Sequence, residues 1–97
     1  EDKVADLIAD VLKRYRFDVH RKGNNVWSRS KNFDDAKPTL LLDAHLDTVR
    51  PNGIWDSDPF TPVVKEGKLF GLGSNDTGGS LVSMLLLNWH PGVCHVI

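Results

Sequence analysis

The sequence predicts an α/β fold built on a mixed sheet, and three observations carry that expectation. The N-terminus has helical periodicity, Leu40–Leu42 is a continuous apolar run typical of a strand covered on both faces, and a glycine-rich turn leads into a second apolar helix. With 97 residues, 40% of them hydrophobic, the chain fits one small domain with a modest core.

In chain order, Val4, Leu7, Ile8, Val11 and Leu12 form the stripe of an amphipathic helix over 3–14. Glu1 and Asp2 suit the positive end of its dipole, and Lys13 and Arg14 the negative end. Phe17–His20 and Val26–Arg29 alternate around Gly23-Asn24-Asn25, which predicts a hairpin with His20 on its solvent side. Residues 31–38 are polar and end in Pro38, so they read as a loop.

After the Leu40–Leu42 strand, residues 45–60 hold Pro51, Asn52, Gly53 and Pro59 and form a long irregular connection, with Trp55 and Phe60 as its expected packing anchors. A second hairpin follows, Thr61–Val64 and Leu69-Phe70 around the polar turn KEGK. Leu81–Leu87, apolar on nearly every side, predicts a buried helix that Pro91-Gly92 ends, and Val93–Ile97 could open another strand. Asn88, His90 and Pro91 interrupt that apolar run short of the roughly 20 residues a membrane span needs.

Composition narrows the function. A net charge of −1 and no run of like charges leave no footprint for nucleic acid or an anionic membrane surface, so a small-molecule or peptide partner is expected. Cys94 is the only cysteine, which excludes an internal disulfide and points to the cytoplasm. The acidic N-terminus is no secretory signal, and it lacks an initiator Met, as a processed or partial chain would. Charge is uneven: residues 1–39 hold nine Lys/Arg against seven Asp/Glu, residues 40–79 three against six, and residues 80–97 none. The acidic excess therefore surrounds residues 40–80, which suits a cation, as it also suits solvated loops.

Two motifs in that stretch carry chemistry. In extended backbone His45 and Asp47 point the same way, at the carboxyl end of the apolar run, where open α/β sheets place their sites. Imidazole is a good zinc ligand, and its second nitrogen commonly donates to a carboxylate or carbonyl. Asp76 stands among Gly71, Gly73, Gly78 and Gly79 at the mouth of the second helix. A dinucleotide loop would need glycine where Asp76 stands, no Walker lysine follows Gly79, and neither Ser74 nor Ser80 completes a nucleophile elbow. A carboxylate at this turn suits a bridge between two cations.

LLLDAHLDTV, WDSDPF and GKLFGLGSNDTGG, in that order and spacing over residues 38–85, resemble the N-terminal third of the zinc aminoacylase and carboxypeptidase family of dinuclear amidohydrolases, with wording nearest its acetylornithine deacetylases. The resemblance implies part of a three-layer, zinc-exopeptidase-like catalytic domain. It implies His45 as a metal ligand, Asp76 as a bridge between two divalent ions (zinc first, cobalt the alternative) and Asp47 as the catalytic-site partner that orients His45. It implies a substrate that is an N-acyl amino acid or short peptide, water attack on the amide, and a parent that can be a homodimer. In that family a Glu-Glu pair supplies the general base and the next ligand, and a late histidine follows. This chain has only Glu1 and Glu66, neither matching, and His90 and His95 fall too early, so the chain alone is expected to be inactive. The alternative is a small non-catalytic domain that binds a single cation or a partner protein.

Overall fold

The computed structural model describes residues 1–87, and its elements are α1 (Asp2–Arg14), β1 (Asp18–Lys22), β2 (Asn25–Arg29), β3 (Val63–Lys65), β4 (Lys68–Phe70) and α2 (Gly79–Leu87). The expectations for Pro91-Gly92, Val93–Ile97 and for His90, Cys94 and His95 lie outside the described residues. The α/β class stands as expected, two helices with two antiparallel hairpins.

The core lies where α1 packs on β1 and β2. Ala5, Ile8, Ala9 and Leu12 are buried, whereas Val4 is 39% and Leu7 60% exposed. The buried stripe is thus turned from the predicted one toward the alanines. Their small side chains let the helix settle onto the hairpin, where Ser28 is also buried. Arg21 of β1 pairs with Asp6 of α1 and clips the two elements together.

Helix α1 ends in a Schellman motif. The Phe17 N–H donates to the Leu12 carbonyl at 3.1 Å and the Arg16 N–H to the Lys13 carbonyl at 2.8 Å, with Arg16 in the left-handed region at φ 63. The chain then turns into β1, which pairs with β2 from Asp18↔Arg29 to Lys22↔Asn25 around Gly23-Asn24. Gly23 at φ 60 opens that two-residue turn, as a type II′ turn requires. His20 lies opposite Trp27 with the rings stacked 5.6 Å apart, and Asp18 is its polar neighbour at 3.2 Å. It is exposed, as expected of a solvent-side strand histidine.

The β3–β4 hairpin pairs Lys65 with Lys68 around Glu66-Gly67. Both turn residues have positive φ, 52 and 72, the signature of a type I′ turn.

Three expectations fail. Leu40–Leu42 forms no strand: only Leu41 makes a single bridge, and it is 66% exposed. Among the described residues neither hairpin extends a ladder to it, so these residues do not cover it on both faces as a central strand would be. Helix α2 forms as predicted, but of its apolar residues only Met84 is buried, because an all-round apolar helix needs cover on every side. Phe60 is 72% exposed and is no anchor, while Trp55 is tied at one end by its indole N–H, which donates to the Asn52 carbonyl at 3.1 Å. No helix among the described residues is long and apolar enough to cross a membrane.

Candidate metal centre

Residues 41–47 are extended and alternate in exposure. Leu42, Ala44 and Leu46 are half-buried, and Asp43, His45 and Asp47 face outward. The i, i+2 rule therefore holds, and His45 and Asp47 share a side. The glycine-rich turn returns to the same place. Gly73, at φ 77, begins a wide turn over Ser74–Gly78 that the Gly78 N–H closes onto the Gly73 carbonyl at 2.8 Å. A Cβ on Gly78 would stand 2.8 Å from that same oxygen, so the closure requires glycine. Within the turn Asp76 and Thr77 leave helical geometry, at φ −116, ψ 93 and φ −122, ψ 25, and the Asp76–Thr77 peptide is cis.

This brings together the three predicted residues. His45 Nδ1 lies 3.0 Å from the Asp47 carbonyl oxygen and 3.3 Å from Asp47 Oδ1, and His45 Nε2 lies 3.0 Å from Asp76 Oδ1. A carbonyl can only accept, so Nδ1 carries the proton and donates it to Asp47. In the neutral imidazole Nε2 then presents a lone pair to a carboxylate oxygen. Two acceptors at that separation need a positive charge between them, either a proton or a metal ion.

The proton alternative raises the His45 pKa above its ordinary 6.5. The Asp47 carbonyl contributes most and the Asp76 carboxylate next, against a smaller opposing effect of desolvation. The metal alternative fits the distance. Two ligands of one tetrahedral zinc, each about 2.0–2.1 Å from it, lie about 3.3 Å apart. The described residues hold no group of three His, Cys, Asp or Glu side chains able to take a metal. Glu66 sits in the β3–β4 turn, as expected. Arg50, three residues beyond Asp47, is exposed.

Two clefts adjoin the pair. One, of about 290 Å³, is walled by His45, Asp47–Val49 and Gly71–Asp76. The other, of about 400 Å³, also includes His45 and Asp47 and reaches Ile8, Trp27, Leu41 and Leu81. Sequence reasoning missed two residues of the site's frame. Thr48 packs its methyl against Gly73, and the Thr77 hydroxyl donates to the His45 carbonyl at 2.7 Å. Their only sequence signal was adjacency to Asp47 and Asp76.

Comparison with known proteins bears on the same stretch. Residues 41–88 match the peptidase family M20/M25/M40. A succinyl-diaminopimelate desuccinylase of Anaplasma marginale is 31% identical over 85 residues, covering 84% of this chain and 22% of the relative. One from Buchnera aphidicola is 37% identical over 87 residues, covering 82% and 22%. An uncharacterized metallohydrolase of Methanocaldococcus jannaschii is 48% identical over 52 residues, covering 50% and 12%. The chain thus spans less than a quarter of the length of these relatives, and none of the three carries the acetylornithine deacetylase name suggested by the wording of the motifs. Residues 41–88, the stretch that holds His45, Asp47 and Asp76, are thus the part of the chain that is similar to the peptidase family M20/M25/M40.

Proposed function

We propose that residues 1–97 are part of the catalytic domain of a metal-dependent amide hydrolase that removes the acyl group from an N-acyl amino acid. The observation that carries this reading is the 3.0 Å approach of His45 Nε2 to Asp76 Oδ1, with Asp47 holding the proton on the opposite imidazole nitrogen. His45 would ligate one divalent ion, and Asp76, with two carboxylate oxygens, would bridge it to a second. Zinc is the first choice and cobalt the alternative. Such ions, when bound, polarise the amide carbonyl and bring a water toward ionisation near neutral pH.

The contribution of this chain is positional. Asp47 fixes the tautomer, so the Nε2 lone pair stays directed at the site, and the closed turn holds the Asp76 carboxylate against it. The general base, the remaining ligands and a lid or dimerisation domain belong to sequence outside these 97 residues. The names of the relatives favour a succinylated diamino acid as substrate, and the motif wording favours an acetylated one. Incubating the protein that contains this chain with N-succinyl-diaminopimelate and with N-acetylornithine, and following release of succinate or acetate, separates the two.

Equilibrium dialysis against zinc tests the metal reading on the chain itself. Uptake that both His45→Ala and Asp76→Ala abolish supports it, and uptake unaffected by either rejects it. A second reading, cation binding without turnover, is favoured by the lack of a third ligand among the described residues. It predicts zinc uptake with no acyl release in any longer form.

A further inference from the structure

We infer that Thr77 is a positioning residue for the His45–Asp76 pair, an inference that rests on the metal reading above. His45 and Asp76 are 31 positions apart in sequence and sit on two segments outside the strands and α-helices, the extended run at 41–47 and the kinked turn at Ser74–Gly78. No strand ladder joins these segments among the described residues. Two polar contacts cross between them at this point. One is the His45–Asp76 contact itself, which a bound ion would replace, since Nε2 would then bind the ion. The other is the bond from Thr77 Oγ1 to the His45 carbonyl at 2.7 Å, which uses backbone on one side and a hydroxyl on the other and so persists whether or not an ion is bound.

The geometry gives that bond its leverage. Thr77 follows Asp76 directly, and the two share the non-helical kink of the turn, so the donor lies in the kink that carries the carboxylate. The Thr77 hydroxyl fixes the His45 main chain, Asp47 fixes its ring, and the Gly73–Gly78 closure fixes the turn. Without the hydroxyl, the His45–Asp76 contact is the one polar contact of the two that remains between these segments at this point.

Thr77→Val keeps the shape and removes the hydroxyl, while Thr77→Ser keeps the hydroxyl and removes the methyl. The unmodified chain and both variants are titrated with cobalt(II), followed by visible absorption, alongside urea unfolding. The nuclear Overhauser effect between the His45 ring and the Asp76 β-protons is recorded without metal. Thr77→Val is expected to weaken cobalt binding by about tenfold or more, the scale found for groups that orient metal ligands, with Thr77→Ser near the unmodified value and both urea midpoints nearly unchanged. Equal binding by Thr77→Val, or equal losses in both variants, overturns the role. If the unmodified chain takes up no cobalt, the metal reading fails on its own. The Overhauser effect then decides the positioning role: loss in Thr77→Val with retention in Thr77→Ser supports it, and retention in Thr77→Val overturns it.

Discussion

A Cβ placed on Gly73 would stand 2.6 Å from the Thr48 methyl, closer than side-chain carbons approach. Gly73 also sits at φ 77, where a side chain costs about 1–2 kcal/mol. The segment bearing His45 and Asp47 is therefore seated directly on the start of the turn bearing Asp76. Gly73→Ala should lower stability by at least that amount, measured by urea unfolding, and should weaken zinc uptake further than the stability loss explains. Adding Thr48→Ser should restore part of the stability, because it removes the colliding methyl and leaves the φ strain.

Among the described residues, Arg16 and Glu66 are the two non-glycine residues with positive φ, one closing helix α1 and one turning the β3–β4 hairpin. Arg16→Gly and Glu66→Asn should each raise stability, by about 1 kcal/mol for the former from relief of left-handed strain and by a smaller amount for the latter. Zinc uptake should be unchanged in both. A loss of uptake in Glu66→Asn would give that glutamate a role in the site that its turn position does not support.

His45 should titrate above 6.5 in the metal-free chain, and the variants should rank by cause. The Asp47 carbonyl is the largest contributor and survives Asp47→Asn, so that variant should keep most of the upward shift. Asp76→Asn removes both the carboxylate bond and its charge and should bring the titration down further. A folded pKa above the unfolded value means that this group stabilises the metal-free fold fully below pH 6.5, and the contribution fades as pH rises through the folded value. Zinc competes with the same proton, so uptake should strengthen over that rise. Proton NMR of the imidazole across pH measures the ranking, and dialysis measures the uptake.

Asp58 organises the WDSDPF loop by accepting from the Phe60 N–H at 2.9 Å and the Thr61 hydroxyl at 2.8 Å. Its pKa is lowered, first by the Phe60 N–H and then by the Thr61 hydroxyl, so its contribution is present above 3.8 and is lost as pH falls through the lower folded value. Asp58→Asn should flatten that part of the acid-unfolding profile, followed by Trp55 fluorescence.

Much of this was readable in the sequence, for identifiable physical reasons. Hairpins, the first helix and the pairing of His45 with Asp47 depend on local periodicity and turn chemistry, and each formed near its expected place. The facing stripe of α1 was missed by about one position because periodicity marks large apolar side chains, while the packing chose Ala5 and Ala9. Leu40–Leu42 and Phe60 failed because burial depends on distant neighbours, which apolarity signals but cannot supply. The approach of Asp76 to His45 was legible only through the motifs' resemblance to known hydrolases, since no local rule joins positions 31 apart. Thr77 carried no signal beyond its place next to Asp76, because its bond is to a backbone oxygen that every residue possesses.

The most direct measurement of the central claim is long-range proton–nitrogen NMR of the four histidine rings during zinc titration. The account predicts that zinc shifts Nε2 of His45, that Nδ1 keeps its proton toward Asp47, and that Asp76→Asn abolishes the change. Zinc that perturbs only His20, His90 or His95, or that binds with the His45 ring unaltered, would contradict it.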